Sequence, residues 1–407
     1  MKSAKNTRRM LLVTTALAAL ALPVSLASAN ADSPKKPKKS TNALHNPIPK
    51  FGAYNDSPLF GRYDAKEGKR VVPENNSMSV SPDEKIAVVT RSTAKFLVVI
   101  DLVNGKEIAQ IHGYANPRDI QFAANGDSFT VSDSTLGVVD RIGKTESGGY
   151  QVKERMPLGA GVFGTAQSDD GKRLFANNFA ADTVTVVAQP GPSDPSAPPA
   201  SSPKDIVTGF DQPRQGVKLA PSQKKLYVTN YADGKTKGSI KVLDVADPNM
   251  APKMLTKEEI TGLNGVRGLS ISQDNEHLYA ANSADDTIAK VTLVDGGKPT
   301  VETLKVDGDG VPNKKPYGAV ISPDETVLFT GNEGDSTVTA INPETGAAAD
   351  LLDKDRYLNK PRQAIAFSAN SATAWALNAD LTIAKIDVAA RSVTEKLGKS
   401  HPATTTP

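Results

Sequence analysis

The sequence predicts an all-β chain folded as a seven-bladed β-propeller of four-stranded antiparallel blades. The first observation is a repeat: SPDEKIAVVTR from Ser81, AANGDSFTVSD from Ala123, SDDGKRLFANN from Ser168, APSQKKLYVTN from Ala220, SQDNEHLYAAN from Ser272, SPDETVLFTGN from Ser322 and SANSATAWALN from Ser368. The second is its period: successive copies start 42, 45, 52, 52, 50 and 46 residues apart, the length of one four-stranded blade. The third is alternation of apolar and polar residues over short runs broken by turn residues, with no sustained helical period.

Each copy has the same internal order. An apolar strand such as residues 318–321 (GAVI) leads into the turn, and residues 327–330 (VLFT) follow it. A third strand alternates, as in residues 337–341 (TVTAI), and a fourth follows a polar turn, as in residues 107–111 (EIAQI). The Pro-Asp, Asp-Gly and Asn-Gly pairs between the first two strands are turn formers, because Pro fixes φ while Gly and Asn accept positive φ. One such sheet cannot bury both faces by itself, so seven are expected to close into a ring that leaves only short edges. The propeller is expected over residues 70–397 as one domain.

The ends read differently. Lys2, Lys5, Arg8 and Arg9 precede an apolar run from Met10 to Leu22 and the small triplet Ala27-Ser28-Ala29, the pattern of a signal peptide over residues 1–29 removed near Ala29. Arg8-Arg9 also fits a twin-arginine signal, so both export routes stay open. The run is too short to span a membrane, and no later stretch approaches the roughly 20 apolar residues required. A periplasmic or secreted, envelope-located protein without a membrane span is expected. Residues 30–69 form a Lys/Pro-rich, partly disordered segment and residues 398–407 a flexible tail, while Gln189 to Lys204 is a Pro/Ser-rich insertion after the third strand of the third blade, read as a mobile loop.

Four of the 48 basic residues and none of the 45 acidic ones lie in residues 1–29, so the mature chain carries 44 against 45, a net charge of −1. Its basic character gathers in Lys35, Lys36, Lys38 and Lys39, read first as a solvated tether. With no cysteine, lipid anchoring through a thioether, covalent c-type haem, thiolate zinc sites and cysteine nucleophiles are excluded.

Tyr227-Val228-Thr229-Asn230, Ser322-Pro323-Asp324 and TVTVV from Thr183 to Val187 resemble the YVTN-repeat seven-bladed propellers, particularly the exported bacterial YncE-like group. The resemblance covers all seven repeats. It implies the fold and a periplasmic setting, with DNA binding as one role; the mature net charge gives that role no global support. Blades one and two depart from the motif, ending their second strands on Arg91 and Asp133.

An antiparallel meander places the start of each first strand and the end of each second strand on one face, opposite the SPD-type turns. The second-strand ends are Arg91, Asp133, Asn178, Asn230, Asn282, Asn332 and Asn378. An asparagine there is foremost a turn former. Five residues before each turn start stand Asn76, Arg118, Phe163, Gln215, Arg267, Tyr317 and Gln363, with Arg214 and Arg362 one position earlier in two blades. These nine residues are expected to line the channel mouth. Guanidinium groups with aromatics suit an anionic or planar ligand, a carboxylate or a single nucleic-acid strand. The competing structural role for the arginines is a salt bridge to a neighbouring blade, for example Arg118 with Asp119 or Asp133.

Catalytic chemistry is sparse. His45 and His401 lie in the terminal segments, His277 opens a second strand, and His112 stands in a loop on the mouth face; no clustered set supports a metal. Asp307-Gly308-Asp309-Gly310 lacks the later ligands of a calcium loop. Gly159 to Gly164 matches GxGxxG by letter but lacks the following helix a dinucleotide site needs. Trp375, the lone tryptophan, is expected in blade core. No catalytic residue, metal or cofactor is assigned. The expected function is a monomeric, non-catalytic exported binding or scaffold protein with a protein, peptide, polysaccharide or single-stranded nucleic-acid partner. The alternative is a propeller hydrolase, lactonase or lyase with its site at the same mouth, where only Asp133 and His112 offer themselves.

Overall fold

The computed structural model describes residues 62–64, 69–71, 76–189, 201–232, 234, 237–306 and 314–402. The expected signal peptide, the lysine cluster, His45, most of the Pro/Ser-rich insertion and residues 307–310 lie outside them.

Seven antiparallel sheets follow one another, each with its strands in chain order. The inner strands are Asn76–Val80, Pro117–Phe122, Val162–Gln167, Pro213–Leu219, Val266–Ile271, Val320–Ile321 and Ile365–Phe367. The second strands are Ile86–Arg91, Ser128–Asp133, Arg173–Asn178, Lys225–Asn230, His277–Asn282, Leu328–Asn332 and Thr373–Leu377. Blade four carries an additional strand, Ile260–Leu263, on its third strand. A hairpin of Arg62–Asp64 with Lys69–Val71 forms a separate sheet. The single 3-10 turn Thr256–Glu258 is the only helix among the described residues.

Burial explains the strand sequences. Second strands are sandwiched on both faces and are buried almost throughout, as in Arg173–Asn178 and Leu328–Asn332, so they read as runs of apolar, β-branched and small residues. Outer strands have one free edge: Thr300–Lys305 buries only Leu304, and its sequence alternates with charge.

The core is divided among the interfaces between blades. Seven apolar clusters each join two neighbouring blades. One packs Val88, Val99 and Ile111 of blade one against Ile120, Phe129 and Val131 of blade two. Another packs Trp375, Leu377, Ile383 and Leu397 of blade seven against Ala87, Val98 and Ile100 of blade one. The ring is therefore closed, and among the described residues blade seven takes its four strands from residues 365–397.

A short C-terminal segment fastens that seam. Arg91 Nη1 donates to the carbonyls of Ala379 (2.9 Å) and His401 (2.7 Å), and Nη2 to that of Pro402 (3.1 Å). His401 Nε2 lies 2.6 Å from Glu107 Oε2, and Gly398 N donates to Gly105 O.

The SPD-type turns share one construction. Ser81, Ser168, Ser272, Ser322 and Ser368 accept, through Oγ, the N–H of the residue five positions along and bond the acid or amide two residues on. The fourth turn residue has positive φ in all seven copies, from Glu84 (57°) to Gly126 (74°), and only two of the seven use glycine there.

Candidate functional site at the channel mouth

Backbone irregularity builds the mouth. In blades two, three and five, Pro117, Val162 and Val266 pair with the second-strand ends Asp133, Asn178 and Asn282, and then one residue is inserted before pairing resumes. Blade four inserts two between Pro213 and Val217. Such bulges re-aim side chains. Their freed backbone groups are taken up by the second strands: Ser132 Oγ accepts from Asp119 N (3.1 Å) and donates to Phe163 O (2.5 Å). Asn177 accepts from Gly164 N (2.9 Å) and donates to Arg214 O of the next blade. The inner strands crowd together here: a Cβ on Gly318 would lie 2.6 Å from Gln363 Cα, and one on Gly164 2.9 Å from Gln215 O.

Counting from the strand ends rather than from the turns reveals the true equivalents. Arg118, Phe163, Arg214, Arg267 and Tyr317 each follow the residue that pairs or bridges with the second-strand end, and Arg362 likewise follows a proline. The extra residue in blade four is why Gln215, and not Arg214, stands five before the turn. Asn76 sits in an unbulged strand, opposite Arg91. The structure thus separates the nine expected mouth residues into two groups, six at the mouth and Asn76, Gln215 and Gln363 in the channel beneath.

At the mouth, guanidinium and phenol groups alternate. Arg214 lies 3.8 Å from the Tyr231 ring centroid and Arg267 5.1 Å from it; Arg267 is also 4.1 Å, and Arg362 5.2 Å, from that of Tyr317. Arg267 Nη2 donates to Tyr231 Oη at 3.1 Å, and Arg362 Nη2 pairs with Glu333. Arg118 continues the arc over Phe163 at 4.8 Å, with Nε donating to Ser134 Oγ at 3.0 Å. Arg118 is 1% exposed and Phe163 2%, so these two support the mouth from beneath while Arg214 and Arg267 remain half-buried.

The arc is short of acceptors. Nε of Arg214, Arg267 and Arg362, and Nη1 of Arg362, are buried without a hydrogen-bond partner. Burial, with Arg214 nearby, pushes the Arg118 guanidinium down to about 9. Burial also lowers Arg214 to about 10, an effect that Tyr231 offsets and Arg267 reinforces. Both stay protonated at neutral pH, so like charges are held together in a partly dry site. Burial raises the Tyr317 phenol, which keeps it neutral.

The acids nearby are occupied. Asp133 accepts the N–H groups of Ala115 (2.7 Å), Asn116 (2.9 Å), Thr135 (3.0 Å) and Leu136 (2.9 Å). The strand-ending asparagines do the same work: Asn178 bonds Gly159 O, Ala160 O and the N–H groups of Ala180 and Ala181, and Asn378 bonds Asn359 N, Tyr357 O and Thr382 Oγ1. Asp182 and Asp286, in the turns after the second strands, each accept a backbone N–H of the following blade. These acids share the rim with the exposed Lys315 and Lys360.

Tyr231, Glu333 and Ser134 were not among the sequence candidates. Each is the residue immediately after a second-strand end, and that offset is the signal that finds them. His112 closes an outer strand, exposed, with its ring 5.7 Å from that of Phe96. Asp274, Glu276 and His277, whose ligand atoms lie within 4.8 Å of one another, are on the opposite, turn face.

Below the arc, Gln363 Nε2 donates to Gln215 Oε1 (3.0 Å) and to Asn76 O (2.8 Å), tying blades seven, four and one together across the channel. Beneath this bridge a cavity of about 360 Å³ reaches the turn face at Pro221 and Gln273.

Solved structures share this fold. Hydrazine synthase of Kuenenia stuttgartiensis is similar with a TM-score of 0.62 at 14% identity, over 77% of this chain and 95% of that one. A "putative 6-phosphogluconolactonase" of Bacteroides uniformis gives 0.59 at 13% identity, over 81% and 98%. The β-propeller domain of Cps50 (Swd1) of Myceliophteria thermophila gives 0.56 at 11%, over 76% and 97%. The likeness is one of fold alone. No family model matches the chain, and no curated protein sequence matches it.

Proposed function

We propose that this chain is an exported, non-catalytic propeller that captures an anionic group at its channel mouth. The observation that carries this is the arc Arg214–Tyr231–Arg267–Tyr317–Arg362, with four buried guanidinium N–H positions lacking acceptors. Charge-assisted bonds to a carboxylate or phosphate would satisfy them and relieve the mutual repulsion of the arginines. The tyrosine rings offer flat apolar contact to whatever bears the anion. Because the free donors are gathered in one short arc and Asp182 and Asp286 stand at the rim, a compact anionic terminus on a protein, peptide or saccharide fits better than a long polyanion lying across the face. The resemblance to the YVTN-repeat, YncE-like proteins and the N-terminal export signal support a periplasmic or envelope setting.

The test is calorimetric titration of inorganic phosphate, citrate, acidic peptides, anionic oligosaccharides and single-stranded oligonucleotides at low and moderate salt. Saturable 1:1 binding of at least one compact anion, weakened by salt and lost when Arg214, Arg267 and Arg362 are all alanine, is expected. Binding unchanged in that triple variant would refute the assignment. Oligonucleotide binding that grows with strand length would show instead that a polymer is the ligand.

A further inference from the structure

The cavity beneath the glutamine bridge is a different chemical environment. Asp119 and Lys218 are the only charged residues that line it. Among the described residues neither forms a salt bridge, with the other or with a third group. Asp119 is 8% exposed. Its Oδ2 is held by Thr165 N and Oγ1, both at 2.8 Å, whereas Oδ1 has only Ser77 Oγ at 3.4 Å. Burial raises its carboxyl above the usual range, although the Lys218 charge and the Thr165 hydrogen bonds pull the other way. Asn76, which also lines the cavity, is 1% exposed, and its carbonyl oxygen Oδ1 has no hydrogen-bond partner; its Nδ2 reaches toward blade seven, to Asn378 O. The cavity lining therefore includes a carboxylate oxygen with unused acceptor capacity on the blade-two side. Lys218 is exposed and stands two residues before the turn at Ala220, toward the open end.

We propose that this cavity is a binding site for a small zwitterionic amine, a free amino acid or a close analogue, with its ammonium group on Asp119 Oδ1 and its carboxylate toward Lys218. An ammonium donates three hydrogen bonds and would set a positive charge directly on the Asp119 carboxylate. A bare metal ion fits less well, because about 360 Å³ falls in the ~300–1,000 Å³ range of small-molecule pockets. One charge of each sign in the lining disfavours a diamine, whose second ammonium would meet Lys218, and a dicarboxylate, whose second carboxylate would meet Asp119. This site is independent of the mouth reading, since none of the mouth arginines lines it.

The experiment titrates free L-amino acids, their methyl esters and their N-acetyl derivatives into the full mature protein, with calcium chloride as a separate arm. At least one free amino acid is expected to bind 1:1, its N-acetyl derivative to lose more than 100-fold, and its methyl ester to lose 5- to 20-fold. Lys218→Ala, at an exposed position, is expected to reproduce the ester's loss and to erase the difference between acid and ester. Asp119→Asn should abolish binding; because Asp119 also anchors Thr165, the Lys218 variant carries the test if that protein does not fold. The proposal is overturned if no amino acid binds, if N-acetylation leaves affinity unchanged, if Lys218→Ala leaves the acid-to-ester ratio unchanged, or if calcium alone binds 1:1 and displaces the amino acid. Arg214, Arg267 and Arg362 variants should bind the amino acid as the wild type does, which separates failure here from failure at the mouth.

Discussion

The mouth and the channel cavity are built from adjacent residues of the same inner strands, yet their electrostatic needs are opposite. Arg118 and Asp119 are sequence neighbours. Arg118 stacks under Phe163 among the arginines, and Asp119 faces the cavity below the Gln215–Gln363 bridge. The mouth holds buried N–H donors without acceptors, and the cavity holds a buried carboxylate that no salt bridge engages, with Lys218 acting on it only from a distance. A strand turns successive side chains to opposite sides, and the bulge between Pro117 and Ile120 sets which side is which. Buried polar groups are normally satisfied, and each exception calls for a cause. Here the exceptions fall into two groups of opposite character, separated by one layer of glutamine.

Several measurements can break or sharpen this contrast. The largest effect is expected from Arg214→Ala/Arg267→Ala/Arg362→Ala. Each charge-assisted hydrogen bond is worth about 1.5–3 kcal/mol, so the triple variant should lose anion affinity by at least ~100-fold in calorimetry and keep its amino-acid affinity. Next is the partition. Gln363→Leu removes the donor to Gln215 Oε1 and Asn76 O, and leaving buried acceptors unmet costs about 1–3 kcal/mol; this is read as a lower denaturation midpoint in urea. If the contrast depends on the bridge, that variant should also couple the two sites, so that anion binding alters amino-acid affinity.

The third measurement uses pH. Burial raises the folded pKa of Asp119, so its contribution is most favourable below the unfolded value, near 4. It becomes less favourable as pH rises through that value toward the folded pKa, then stays constant. The stability of Asp119→Asn relative to wild type should therefore increase over that window, and a saturating amino acid should flatten the difference. The turn aspartates have the opposite sign. The hydroxyls of Ser81 and Ser272 hold Asp83 and Asp274 below the usual range, so their contribution is present above pH ~4 and lost on acidification. Equilibrium urea unfolding from pH 3 to 7 would resolve both trends. The smallest effect is Tyr231→Phe, which keeps the stacked ring and removes one hydrogen bond to Arg267; anion affinity should fall by about 0.5–1.5 kcal/mol.

The fold was legible because its signals are local and repeated. The SPD-type turn, the strand after it and the 42–52 residue period each recur, and the seven interface clusters follow from them. The mouth was partly legible. Arg118, Arg214, Arg267, Tyr317, Phe163 and Arg362 could be placed on one face from topology alone, but a one-residue bulge shifts the count. Counting from the turns therefore selected Gln215 and Gln363, which with Asn76 line the cavity. A better guide was present in the dipeptides Pro117-Arg118, Pro213-Arg214, Pro316-Tyr317 and Pro361-Arg362: the first two open inner strands, and Pro316 bridges the second-strand end Asn332. Tyr231 and Glu333 were hidden beside the asparagines that attracted notice. The cavity was not legible, since Asp119 reads in sequence as a partner for Arg118. Only the bulged backbone shows that the two diverge.

The most direct measurement of the central claim is a pair of calorimetric titrations on three proteins: wild type, the Arg214/Arg267/Arg362 triple alanine variant and Lys218→Ala. Each receives a compact anion that binds wild type and, separately, an amino acid that binds wild type. Two separate sites of opposite need predict that the triple variant loses the anion and keeps the amino acid, while Lys218→Ala keeps the anion and loses discrimination between acid and ester. Loss of both ligands in either folded variant, or of neither in both, would contradict it.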